Sequence, residues 1–360
     1  MGHVTLTELA AGQTYYYCLL LEGARVMSRP YPSFQTAPTP APRGHVRVAF
    51  SSCVGYYGYN SAPGYADLAT RTNVDLVILL GDNHYANTTD PVKQREAYFA
   101  QRATAGYRAL GSTTPIYAIW DDHDFGPNNS DGTLQNKEVS LKTFQEHWAN
   151  PAYGETDNPG VYYQFSRGGV EFFMLDDRYH RSPNTNANVE AKTMLGPRQL
   201  QWLKRGLANS PARVKLVGCG SEWQSNGTED SWSRFTKERQ EIFDFIREQQ
   251  IQGVIFITGD RHFTAAYQTQ GNWIEVTSGP LGSSNAKSKP VAEMFFKQDA
   301  GRMYSVFDID TRPEEPIVTL EVYQVAQGLI YSRSFSWDEI NGRAKIPGLV
   351  VDELPATESK

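Results

Sequence analysis

From His45 onward the chain repeats one pattern, in which a short, continuous apolar run rich in Val, Ile and Phe stops abruptly at polar residues. The runs are VRVAF (46–50) into SSC, DLVILL (75–80) into GDNHY, IYAIW (116–120) into DDHD, VEFFML (170–175) into DDR, VKLVG (214–218) into CGSEW, and GVIFIT (253–258) into GDRH. Short apolar runs without alternation suit strands covered on both faces. Between them the period changes to that of a helix. PRQLQWLKRGL puts Leu200, Leu203 and Leu207 on one face, and ERQEIFDFIREQQ does the same with Ile242, Phe245 and Ile246. Strand and helix in alternation predict an α/β layered fold with much parallel pairing. After Asn272 come WIEVTSGP, YSVFDID, IVTLEVYQ and LIYSRSFS, closely spaced and without long helices, which predict antiparallel additions.

The first 43 residues read differently. TYYYCLLLEG (14–23) is rich in β-formers and ends on the turn signal Glu22-Gly23, and Tyr31 to Gln35 is a second strand-like piece. Pro38, Pro40 and Pro42 then make an extended linker, so a boundary is expected near Gly44. A piece this short cannot carry its own core, and is expected to pack on the main domain at 44–350 as a β-sandwich remnant. Residues 351–360 are expected to be a frayed polar tail. With 40% apolar and 12% aromatic residues the chain is an ordinary globular one, and a net charge of -6 argues against nucleic-acid binding by counterion release. No apolar run approaches the ~20 residues of a membrane span. Three cysteines are too few for a disulfide framework, and Cys18 and Cys219 read as small buried hydrophobes. The opening MGHVTLTELAAG lacks the pattern of a secretory signal.

In α/β sheets the carboxyl ends of parallel strands share an edge where ligands bind. The six polar terminations therefore bring together Cys53; Asp82, His84 and Tyr85; Asp121, Asp122, His123 and Asp124; Asp176, Asp177 and Arg178; and Asp260, Arg261 and His262. Any single Gly-Asp pair is most simply a turn, and His84 beside Tyr85 a packed loop pair. Five or more carboxylates at one edge, however, require protons or a cation. Carboxylates suit calcium, magnesium or ferric iron, while His and Cys add affinity for other transition metals. An imidazole among three carboxylates makes His123 a candidate proton donor, and Arg178 and Arg261 are candidates to hold an anionic substrate bidentately. The chain has no GxSxG elbow, which disfavours a serine nucleophile.

The stretches FSSC (50–53), GDNHY (81–85), WDDHDFGPNN (120–129), FMLDDRYHR (173–181), GPRQLQWL (196–203) and ITGDRH (257–262) resemble the PhoD-like alkaline phosphatases and phosphodiesterases of the metallophosphoesterase superfamily. The resemblance implies a metallophosphoesterase-type β-sandwich flanked by helices, and an exported protein. It implies ferric iron held by Cys53, Asp82, Tyr85 and His262, next to calcium held by Asp82, Asp122, Asn128 and Asp260. It puts His123 in the place of the leaving-group acid, and Asp176 with Arg178 near or in the anion site, Asp176 supporting the ligands from behind. Ala86 and Asn87 depart from the family, whose members commonly carry a longer side chain or an acid there, and Asp177 is an extra acid. The expected reaction is hydrolysis of a small phosphate monoester or diester, with metal ions, as iron and calcium or another divalent cation, activating water. The alternatives are a non-catalytic calcium-dependent binding module, in which His123 is dispensable, and a phospholipase D-like diesterase on the same scaffold. The aromatic loop VGYYGYNSAPGY (54–65) could line the substrate pocket.

Overall fold

A computed structural model describes residues 2–39, 41–55, 62–71, 73–187, 189–224, 228 and 230–349. Most of the aromatic loop, at 56–61, and the polar tail at 351–360 lie outside the described residues. The six apolar runs are all strands, three in each of two facing sheets. His45–Ser51, Leu76–Leu80 and Ile116–Ile119 pair in parallel, as do Val170–Met174, Val214–Cys219 and Val254–Thr258. The first trio sits in a six-stranded sheet completed by the antiparallel strands Met303–Asp310, Ile317–Gln324 and Gly328–Phe335. The second sits in a seven-stranded sheet with Tyr163–Arg167 at one edge, and Ile274–Thr277, Thr264–Gln268 and Met294–Gln298 toward the other.

One late strand is not an antiparallel addition. Thr264–Gln268 returns one place out from Val254–Thr258, and Ile274–Thr277 fills the gap between them. Being antiparallel to the former, it runs parallel to the latter.

The continuous apolar runs are explained by burial on both faces. Phe172, Met174, Leu216, Ile255 and Ile257 point between the sheets, into one core with Val48, Phe50, Ile78 and Phe307. Their neighbours Phe173, Val217, Val254 and Phe256 point outward, where helices Gly196–Asn209 and Thr236–Glu248 cover them with Leu200, Leu203, Leu207, Ile242, Phe243 and Ile246. Each such side chain, fully buried, contributes about 1.5–3 kcal/mol. The second helix presents Phe243 rather than the expected Phe245, because Phe256 and Trp223 stand opposite, with ring centroids 5.7 and 5.8 Å from that of Phe243. On the other sheet, helices Ala62–Arg71 and Ala105–Gly111 pack together, and Tyr304 donates to Asp67 Oδ2 at 2.8 Å. No helix among the described residues is long and apolar enough to cross a membrane.

Thr14–Tyr16 pairs antiparallel with Ser33–Gln35, and Leu20–Leu21 with Ala24–Arg25 around the Glu22-Gly23 turn, whose positive φ of 50° and 81° suits a tight hairpin. Leu20 and Leu21 are exposed, and Cys18 is only half-buried, contrary to its expected role. Tyr17 donates to the Ser112 carbonyl at 3.1 Å, tying the piece to the main body.

Candidate metal centre

Parallel pairing within each sheet, and face-to-face packing between them, bring the six carboxyl strand ends to one edge. The backbone there is close-packed. Gly81 has φ 94°, and a Cβ on it would lie 2.5 Å from Asp121 Cβ; one on Gly220 would lie 2.8 Å from the Asp121 carboxylate. Cys53, Asp82, Asp260 and His262 all adopt left-handed φ, at 53°, 51°, 65° and 53°. Non-glycine residues are uncommon in this region and persist where surrounding structure holds them, often at functional sites.

Three overlapping groups of side chains result. Ligand atoms of Cys53, Asp82 and His262 lie within 4.8 Å of one another, as do those of Asp82, Asp122 and His123, and those of Asp121, Asp122 and Asp260. Tyr85 joins the first group, its hydroxyl 2.9 Å from His262 Nε2 and donating to Asp82 Oδ2 at 3.1 Å. Asp82 is common to two groups and Asp122 to two, so the cluster is continuous.

The electrostatics are those of acids crowded in low dielectric. Burial first, and then the neighbouring Asp122, Cys53, Asp121 and Asp260, push Asp82 well above the usual carboxylate range. Asp121 is raised the same way despite Arg178, and Asp260 is pushed up to about 6 by burial and Asp122. Burial and Asp82 raise Tyr85, and Cys53 holds His262 up to about 9. Burial lowers His123, partly offset by Asp122. Asp82 Oδ1 and Asp121 Oδ2 are buried with no hydrogen-bond donor among the described residues. Two orphaned carboxylate oxygens among mixed O, N and S donors fit a site for cations, which would replace the protons that burial and repulsion now favour.

Several expected residues occupy other places. Arg178 is wholly buried: its Nε donates to Asp121 Oδ1, its Nη2 to Asp230 Oδ2 at 2.8 Å, and its Nη1 to the Ser130 carbonyl at 3.3 Å. Asp176 is likewise a structural clamp, accepting from Trp120 Nε1, the Arg178 and Tyr179 amides, each at 2.9 Å, and the Val161 amide at 2.8 Å. The Asn128 side chain is exposed; its neighbour Asn129 gives Asp122 Oδ2 a backbone N–H at 2.6 Å. Arg261 stays at the rim, 17% exposed, with Nε 3.4 Å from Glu222 Oε2 and its guanidinium over Phe263. His84 is a packed loop residue, buried against the Tyr98 ring at 4.3 Å, and burial brings its pKa down to about 3. Asp124 organises the loops by accepting from the amides of Asn83, His84 and Asp121. Cys219 is buried in the outer core as expected, its sulfur accepting from Trp232 Nε1 at 3.4 Å.

Asp121, expected at this edge but absent from the ligand set that the resemblance implies, lies in one of the groups. One contributor escaped the sequence reading: Asp230, which carries Arg178, comes from a loop without any motif.

A family model described as PhoD-like phosphatase matches residues 48–306, a span that contains every strand end above. The chain belongs to the PhoD-like phosphatase family. Alkaline phosphatase D of Bacillus subtilis (strain 168) is 26% identical over 337 aligned residues, covering 78% of this chain and 56% of that protein. The chain thus spans little more than half the length of that relative. Purple acid phosphatase 23 of Arabidopsis thaliana is 24% identical over 332 residues, covering 85% and 67%. Among solved structures, one of PhoD superposes with a TM-score of 0.70 at 20% identity, over 94% of this chain and 80% of that one. Purple acid phosphatase PPD1 from yellow lupin (Lupinus luteus) seeds gives 0.68 at 17%, over 96% and 64%. This PhoD-like chain therefore has the metallophosphoesterase-type fold that its motifs implied.

Proposed function

We propose that this chain is a metal-dependent phosphoric ester hydrolase acting on small phosphate monoesters or diesters. The observation that carries the proposal is the continuous cluster of Cys53, Asp82, Asp121, Asp122, His123, Asp260 and His262 at one sheet edge, with orphaned oxygens on Asp82 and Asp121. Cys53, Asp82, Tyr85 and His262 suit ferric iron, because thiolate, carboxylate and phenolate are three anionic donors that offset its high charge, and imidazole completes a set typical of a transition metal. Asp82, Asp121, Asp122 and Asp260 suit calcium or another hard divalent cation, for which the exposed Asn128 amide is a further candidate donor. Bound there, the cations supply Lewis acidity and lower the pKa of a water, the chemistry that in-line phosphoester hydrolysis requires.

The chain's own residues do the rest. His123 gives a proton to the departing alcohol. Arg261, at the rim, holds non-bridging oxygens, its guanidinium matching phosphate geometry. Arg178 acts through Asp121, holding that carboxylate toward the cluster, and is a positioning residue.

The test is hydrolysis of a chromogenic phosphate ester by protein purified without chelator. Chelation should abolish turnover, and added metal should restore it. Undiminished turnover in chelated, demonstrably metal-free protein would refute the proposal. A calcium-binding module without catalysis would show no turnover in either state.

A further inference from the structure

We infer that Asn87 is a positioning residue for His123: its side-chain carbonyl accepts the Nδ1–H, leaving Nε2 as the nitrogen that hands over the proton. The inference rests on the acid role proposed above. It starts from the loop after Leu76–Leu80, which reads GDNHYAN and ends on a short amide two residues beyond Tyr85.

In the structure that amide reaches His123. Asn87 Oδ1 and His123 Nδ1 are hydrogen-bonded, and Asn87 adopts a left-handed φ of 54°, a conformation asparagine tolerates better than most residues. The loop that carries it is itself held. The Ala86 amide donates to His84 Nδ1 at 3.2 Å, and Gln94 Nε2 donates to the Thr88 carbonyl at 2.8 Å. Tyr85 closes one face of the imidazole, with ring centroids 4.2 Å apart and planes inclined at 37°. At the base of the ring, the His123 amide donates to Asp122 Oδ1 at 2.9 Å.

An amide oxygen is acceptor only, so it selects the state in which Nδ1 keeps its hydrogen. The protonated ring then has one hydrogen to give, on Nε2. As the ester P–O bond breaks, the electron pair stays on the departing oxygen and takes that proton. His123 is left as the neutral Nδ1–H tautomer still bonded to Asn87, and solvent returns a proton to Nε2. A flipped amide, donating through Nδ2, would select the opposite tautomer.

The experiment compares a 4-nitrophenyl phosphate ester, whose leaving group needs no acid, with an alkyl phosphate ester, which does. It uses the metal-replete protein with Asn87→Gly, Asn87→Asp and His123→Ala. Glycine removes the side chain without straining the left-handed backbone, and aspartate keeps an acceptor there. Asn87→Gly should lower kcat on the alkyl ester about tenfold or more beyond its effect on the nitrophenyl ester. Asn87→Asp should keep the wild-type ratio between the two substrates. Equal losses in Asn87→Gly, or an Asn87→Asp variant that behaves like Asn87→Gly, would overturn the inference. If His123→Ala is selective for the alkyl ester while Asn87→Gly is not, only the role of Asn87 fails. If His123→Ala shows equal losses, the acid reading fails with it.

Discussion

Arg178 shows how burial decides between two roles for one side chain. In sequence it is a guanidinium beside acids, a natural holder of phosphate. In the fold it has no exposed surface and is committed to Asp121 and Asp230. Asp230 lies 52 residues away and also takes hydrogen bonds from Arg181 and from Asn184, the latter at 2.7 Å. No local spacing announces such a partner, so this part of the site is invisible to sequence. Burial alone would push Asp230 up, but Arg178 and Arg181 outweigh it and hold its carboxyl well below the usual range. Its folded value being depressed, its charge contributes stability above the unfolded pKa of about 3.9, and that stability is lost as pH falls. Asp230→Asn leaves buried Arg181 without its ion-pair partner and Arg178 with Asp121 alone, and should cost about 3–5 kcal/mol near neutral pH, read by denaturant unfolding. The difference from wild type should shrink as pH falls below about 4. A difference that stays constant into acid would show that the charge of Asp230 is not what matters.

At the scale of the element, what is legible is the abrupt change from apolar to polar at each strand end, because burial on both faces demands an unbroken run. Those six strands, the two covering helices and the turn at Glu22-Gly23 all follow from such local rules. The facing of Thr236–Glu248 does not. Ile242 and Ile246 combine with either Phe243 or Phe245 in a helical stripe, and the choice belongs to Trp223 and Phe256 across the interface. Phe243→Ala should therefore destabilise the fold by about 3–5 kcal/mol. Phe245→Ala, whose ring lies half-buried beneath Lys204, should cost less than half as much. Thermal unfolding of the two variants measures this, and equal losses would contradict the packing described. The direction of Ile274–Thr277 is hidden for a similar reason, since it is set by the vacancy that Thr264–Gln268 leaves in the sheet.

For the whole molecule, the two parallel trios matter more than either sheet alone. They place Cys53, Asp82 and Asp122 from one sheet against Asp260 and His262 from the other, so the ligand cluster exists only when the sheets face each other. The motifs revealed that convergence because each strand ends on residues too polar for a core and too acidic to crowd without compensation. They could not reveal that Asp176 is taken up by four N–H donors, or that Asn87 reaches His123. The metal centre is tested most directly by elemental analysis of protein purified without chelator, as wild type and as Cys53→Ala. Iron together with calcium is expected in the wild type, and loss of iron with retention of calcium in the variant. An active wild-type preparation free of both metals, or unchanged iron in Cys53→Ala, would contradict this assignment.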